Sequence, residues 1–195
     1  MSCFIKSIKV DNFMVGLVVC QSEISNRGIF ATRDFKKDEP VTTLYGRLVT
    51  YRQLQTDSGM IEEAFYFETN KQVPSYFRRF EAHYVQIGKN LYVEPLEYDF
   101  FINHSCEPNS GYKIIGKKAI LTAIKTIKKG EEIVCDYSTT MYKDGWEMDC
   151  TCGSKTCRGR VRDFNYIPKK LQQRYIRLGI VPDYNISIKD VKINV

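Results

Sequence analysis

Histidine is the scarcest of the reactive residues in this chain: two, His83 and His104, among 195. With so few, with no nucleophile-elbow motif and no acids paired at a telling spacing, nucleophilic triads and paired-carboxylate hydrolysis find no support. Long apolar runs are missing as well. Nothing approaches the roughly 20 residues that a membrane helix needs. The opening Met1-Ser2-Cys3-Phe4-Ile5-Lys6 lacks the apolar core and cleavage site of a secretory signal. A soluble intracellular protein with no membrane partner is expected. Acidic residues almost vanish between Cys150 and Ile180, where Asp163 stands alone against eight basic residues (Lys155, Arg158, Arg160, Arg162, Lys169, Lys170, Arg174 and Arg177). With a net charge of +6, that stretch suits a weak nucleic-acid contact, or equally a solvated face.

What is present fits a globular domain. The length can bury a real core, one domain with small appendages is the natural organisation, and an aromatic share of 13% argues against disorder. The seven cysteines are Cys3, Cys20, Cys106, Cys135, Cys150, Cys152 and Cys157. Their number is odd and three are clustered, a pattern that points away from a secreted disulfide framework and towards a metal site.

Along the chain, Met1 to Val19 reads as one or two short strands. Ser25-Asn26-Arg27-Gly28 reads as a turn whose glycine permits close approach of the backbone to a ligand, followed by a strand at Ile29–Ala31. Ile29–Val41 is echoed by Leu121–Ile133: strand, charged turn (Lys36-Lys37-Asp38-Glu39 and Lys128-Lys129-Gly130-Glu131), strand, each running on to a tyrosine, Tyr45 and Tyr137. Two copies suit small sheets built from hairpins and are too few for a solenoid. Thr50-Tyr51-Arg52-Gln53 is a capping box that opens a helix. An acidic stretch follows at Asp57–Glu68. Gln86–Tyr92 reads as strand, turn, strand, and Tyr112–Ile115 with Lys118–Ala123 as a hairpin about Gly116-Lys117. Glu132–Tyr137 is the last strand, and Pro168 to Leu178 a helix with Gly179 just past its end and Leu171, Tyr175 and Leu178 on one face.

Between these elements lies Phe101-Ile102-Asn103-His104-Ser105-Cys106-Glu107-Pro108-Asn109, a turn-rich loop in an aromatic setting, expected to be buried and held by its own side chains. It resembles the Asn-His-Ser-Cys-x-Pro-Asn signature of SET-domain protein lysine methyltransferases. Cys150-Thr151-Cys152-Gly153-Ser154-Lys155-Thr156-Cys157-Arg158-Gly159 resembles the family's post-SET zinc motif, and Glu131-Glu132-Ile133-Val134-Cys135-Asp136-Tyr137 its strand ending in Asp-Tyr.

The resemblance covers about 15–160 and implies a mainly β fold of several small sheets with a pseudoknot-like threaded loop. Segments are expected at 1–14 (N-terminal strands), 15–138 (SET domain, insert about 50–85), 146–162 (post-SET) and 163–195 (helix and tail). It further implies S-adenosyl-L-methionine as cofactor, held by Asn26, Arg27, Gly28, Asn103 and His104; Tyr137 as the catalytic tyrosine; and a lysine channel that we place at Tyr45, Tyr66 and Cys135. Structural Zn2+ would be held by Cys106, Cys150, Cys152 and Cys157, the alternatives being a redox-labile thiol cluster or an independent zinc ribbon. The implied substrate is a lysine in a histone tail or other basic protein, and the implied location nuclear in a eukaryote. A catalytically inactive module binding a lysine peptide or nucleic acid is the rival reading. Departures from the family pattern are Leu44, Phe100 and Cys135, where relatives often carry an aromatic, an arginine and a Phe or Tyr.

Overall fold

A computed structural model describes residues 16–53, 84–95, 99–141 and 147–186. The expected strands before residue 16, the acidic stretch at 57–68 and Tyr66 lie outside the described residues. Among the described residues the elements are mainly strands: β1 Leu17–Gln21, β2 Arg27–Ala31, β3 Pro40–Leu44, β4 Gly46–Thr50, β5 Val85–Gly88, β6 Leu91–Pro95, β7 Asn103–His104, β8 Ser110–Ile115, β9 Lys118–Ala123, β10 Val134–Cys135, β11 Glu147–Asp149 and β12 Arg160–Arg162. They form five small sheets: β1-β2, β3-β9-β8, β4-β6-β5, β7-β10 and β11-β12. The helix α1 spans Lys169–Arg177.

The internal echo is a structural repeat. In the first turn Glu39 N–H donates to the Lys36 carbonyl at 3.1 Å while Lys36 N–H donates to the Glu39 carboxylate at 2.8 Å. In the second, Glu131 N–H donates to Lys128 O at 3.0 Å and Lys128 N–H to the Glu131 carboxylate at 2.8 Å. The third residue of each turn is left-handed, Asp38 at φ 66° and Gly130 at φ 89°. The copies face one another: Phe35 and Ile127 exchange both backbone hydrogen bonds, at 2.8 and 2.9 Å, and both are 0% exposed. Apolar residues that immediately precede a shared turn geometry therefore meet in the main core, which also includes Ile29, Leu44, Leu121 and Ile133.

The capping box forms as read, with Thr50 N–H donating to Gln53 Oε1 at 2.8 Å and Gln53 N–H to Thr50 Oγ1 at 3.3 Å. The hairpin β8–β9 turns at Gly116, φ 62°. The strand expected at Glu132–Tyr137 is shorter. Only Val134–Cys135 pairs as strand, because Asp136 turns its carboxylate onto Ser138 N–H (3.1 Å) and caps a 3-10 turn at Tyr137–Thr139.

The C-terminal segment has its own apolar cluster, Ile124, Phe164, Ile167, Tyr175, Ile180 and Val181, with Leu171 and Leu178 packed on it. It is seated directly on the sheets. A Cβ on Gly111 of β8 would come within 2.8 Å of Ile180, so close approach explains that glycine. Asn185 donates to Thr139 O at 2.9 Å, and the Tyr184 hydroxyl donates to the Gln86 carbonyl of β5.

Candidate active site and metal centre

The site grows out of the loop at 103–110 and its parallel pairing with the chain's later stretch. Val134 lies opposite Asn103 and Cys135 opposite His104. The loop is buried and held by its own side chains, as expected. The Asn109 amide stands in for a neighbouring strand, donating to Glu132 O at 2.7 Å and accepting from Val134 N–H at 2.9 Å. Ser110 Oγ donates to Val134 O at 2.8 Å, and Glu107 N–H donates to Ser105 Oγ at 3.1 Å. Distant segments are thus locked side by side, and their side chains can form one site.

On one flank lie the expected cofactor residues. Asn103 Nδ2 donates to Glu132 Oε1 at 2.7 Å and to the Arg27 carbonyl at 2.9 Å, with Ser22 Oγ at 3.2 Å. Both amide protons are thereby engaged, so Asn103 Oδ1 is left as the acceptor. Ser22 Oγ in turn lies 2.9 Å from each Glu132 carboxylate oxygen. Asn26 takes the turn, at φ 35°, while Gly28 belongs to strand β2 and not to the turn itself. Its missing side chain matters there, because a Cβ would stand 2.1 Å from Glu132 Oε1 and 3.1 Å from Asn103 Nδ2. The Arg27 guanidinium lies 4.1 Å over the Phe101 ring and ties this turn to the central loop. Residue reasoning on the motif missed Ser22 and Glu132. Only the fold shows that Ser22 reaches a residue 110 positions away.

On the other flank is Tyr137. Its hydroxyl donates to the Ile102 carbonyl at 2.6 Å, one residue before Asn103. Burial, with help from Cys135 and Glu132, pushes the phenol far above its ordinary pKa, so it stays protonated. Its backbone N–H donates to His104 Nδ1 at 3.2 Å. The imidazole proton therefore sits on Nε2, which faces Cys106 Sγ at 3.4 Å. Burial keeps that ring neutral, pushing it down to about 4 against the pull of Asp136. Cys135 is 2% exposed and lies in the main core, with Tyr137 packed against that core. Tyr45 stands at the junction of β3 and β4, 47% exposed.

The four cysteines converge. The Sγ atoms of Cys106, Cys150, Cys152 and Cys157 all lie within 4.8 Å of one another. Cys106 and Cys150 are 3.7 Å apart, matching the roughly 3.8 Å edge of a tetrahedron with arms of about 2.3 Å, the thiolate–zinc distance. Backbone N–H groups already point at the sulfurs: Cys106 to Cys152 (3.5 Å), Arg158 to Cys106 (3.4 Å) and Gly159 to Cys157 (3.4 Å). Such donors suit thiolates. Without a cation, burial pushes the Cys106 thiol up to about 11, so filling the site would displace protons. The residues present fit zinc, and they draw the C-terminal motif onto the central loop as expected.

Between the two centres lies Asp136, 1% exposed. Arg158 grips it with two bonds, at 2.7 and 2.8 Å, and the Tyr175 hydroxyl of α1 donates to Oδ2 at 3.0 Å. Neither partner was visible as such in the sequence, where Arg158 belonged to a basic run and Tyr175 to an apolar helix face. Other members of that basic run are engaged too: Arg160 with Glu147 and Asp149, and Arg162 with Glu147.

Comparison with known proteins agrees with this geometry. A family model described as "SET domain" matches residues 26–138. The chain is 35% identical over 143 residues, 71% of its length, to histone-lysine N-methyltransferase set-2 of Caenorhabditis elegans. It is 31% identical over 147 residues, 72% of its length, to histone-lysine N-methyltransferase trithorax of Drosophila melanogaster. It is also 31% identical over 144 residues, again 72%, to human histone-lysine N-methyltransferase 2B. The aligned parts are 9%, 4% and 5% of those proteins, so the chain spans under a tenth of the relatives it matches. With the signature loop, the Asp-Tyr strand and the four-cysteine centre assembled in one place, the chain belongs to the SET-domain family.

Proposed function

We propose that this chain is an S-adenosyl-L-methionine-dependent protein-lysine methyltransferase acting on a histone tail or another basic protein. The observation that carries the reading is the contact of the Tyr137 hydroxyl with the Ile102 carbonyl, one residue from Asn103. It anchors the candidate catalytic hydroxyl on the carbonyl that immediately precedes the candidate cofactor residue. The names of the similar proteins favour a histone substrate and, with it, a nuclear location. No described helix is long and apolar enough to cross a membrane.

The cofactor would supply a methyl group on a sulfonium sulfur, electrophilic enough for a neutral amine to take. Asn103, the Asn26-Arg27-Gly28 turn and the backbone at His104 are the residues that would hold it. The Asn103 Oδ1 acceptor and the nearby Glu132 carboxylate suit a cationic amino group. Tyr137 stays a phenol and so orients the incoming amine, while the ammonium proton leaves to water before transfer. The apolar surroundings of Tyr137 and Cys135 favour the neutral amine. We place Tyr45, Tyr66 and Cys135 along the lysine channel. Zinc at the four cysteines has a structural role. Exposed Lys155, Lys170, Arg174 and Arg177 remain for a weak nucleic-acid contact.

The test is labelled-methyl transfer by the purified chain to core histones beside a whole-cell lysate. Label on lysine is the expected result. Cofactor binding without transfer to any protein overturns the reading in favour of a binding module.

A further inference from the structure

We infer that Tyr175 of α1 and Arg158 of the cysteine-rich segment are positioning residues for Tyr137, acting through the carboxylate of Asp136. The inference rests on the methyltransferase reading for its kinetic arm and on geometry for the rest.

Asp136 immediately precedes Tyr137, and its side chain is 0% exposed. A carboxylate buried that deeply must be fully hydrogen-bonded. Oδ1 accepts from Ser138 N–H (3.1 Å) and one Arg158 nitrogen (2.8 Å), and Oδ2 from the other Arg158 nitrogen (2.7 Å) and the Tyr175 hydroxyl (3.0 Å). Arg158 also reaches Ser138 Oγ at 3.2 Å. The bond to Ser138 N–H is the cap of the 3-10 turn whose first residue is Tyr137. Arg158 and Tyr175 therefore hold the carboxylate from two sides and aim Oδ1 at the turn. The turn sets the Tyr137 backbone, whose N–H meets His104 Nδ1 and whose ring carries the hydroxyl to Ile102 O.

The Tyr175 hydroxyl serves no packing purpose. The ring is 1% exposed in an apolar cluster with Ile124, Phe164, Ile167 and Ile180, a place that phenylalanine would fill equally. Among the described residues, that hydroxyl donates to Asp136 Oδ2. Helix α1 thus contributes to the active site, although it lies outside the residues that the family model matches.

The experiment compares Tyr175→Phe with Ile167→Val in the full chain. Ile167→Val trims the same cluster without touching Asp136. In Tyr175→Phe, kcat is expected to fall about tenfold, the value of one hydrogen bond to a charged group, with KM for cofactor and protein substrate unchanged. The Tyr137 amide resonance in 15N-tyrosine-labelled protein should shift. Ile167→Val should lower the urea midpoint yet leave both kcat and that resonance in place. Arg158→Lys, which keeps the charge but not the two-pronged contact, should fall between wild type and Arg158→Gln. A Tyr175→Phe protein with wild-type kcat and an unmoved Tyr137 amide overturns the inference, as does an Ile167→Val protein with the same kcat loss. If the wild-type chain transfers no methyl group, the methyltransferase reading fails by itself. The amide shift then decides the positioning role.

Discussion

The backbone N–H of Tyr137 donates to Nδ1 of His104 at 3.2 Å, and this bond assigns the imidazole proton to Nε2, facing Cys106 Sγ. One ring therefore spans from the candidate catalytic residue to a candidate zinc ligand. Long-range 15N NMR is expected to show His104 as the neutral Nε2–H tautomer. With two histidines in the chain, assignment needs a single His83 variant. A proton found on Nδ1 would break the proposed link.

Replacing Tyr137 by Phe removes the hydroxyl bonded to Ile102 O and leaves the packing. Transfer should drop by roughly 10²–10⁴, the usual worth of a positioned proton-handling or hydrogen-bonding group. Cofactor binding by calorimetry should persist. Near wild-type turnover in folded Tyr137→Phe would remove Tyr137 from the mechanism.

Metal analysis should find one zinc per chain at the four-cysteine centre. Chelation should abolish transfer while circular dichroism retains most of the β signal, since none of the four cysteines of the centre belongs to the main core. Zinc retained after the double change Cys106→Ser and Cys157→Ser would contradict the assignment.

Cys135 is smaller than the Phe or Tyr of many relatives and lies in the same core as the packed Tyr137 ring. The expected product is di- or trimethyllysine, and Cys135→Tyr should move it towards monomethyllysine. The larger ring enters a site only 2% exposed, so a stability loss of about 1–3 kcal/mol should accompany the change. Mass spectrometry of a peptide at exhaustive turnover reads the outcome. A wild-type product that stays monomethyl shows that Cys135 does not widen the channel.

The paired turns make a stability prediction that is independent of function. Asp38 occupies, at φ 66°, the place that Gly130 takes in the second copy at φ 89°. Asp38→Gly should be neutral or stabilising by up to about 1 kcal/mol, whereas Gly130→Asp should cost about 1 kcal/mol. Urea unfolding midpoints measure both. A large destabilisation by Asp38→Gly would mean that its 3.5 Å contact with Lys113 matters more than backbone strain.

Local chemistry explains what was legible in the chain itself. The Thr50–Gln53 capping box, the Gly116 hairpin, the helix before Gly179 and the echoed turns are each specified by neighbours within a few residues, and each formed where it was read. The cysteine spacing and the Asn-His-Ser-Cys and Asp-Tyr strings marked the two centres because their chemistry needs those side chains whatever the surroundings. Long-range packing decided the rest. Gly28 proved to be a strand residue giving way to Glu132, the last strand stopped where Asp136 caps a turn, and Ser22 entered the site from the turn after β1. Arg158 and Tyr175 looked like a surface charge and an apolar helix residue. Their partner is a buried carboxylate 22 and 39 positions away, and burial is what makes that carboxylate demand them. Such demands arise only once the chain has folded, so no local pattern announces them.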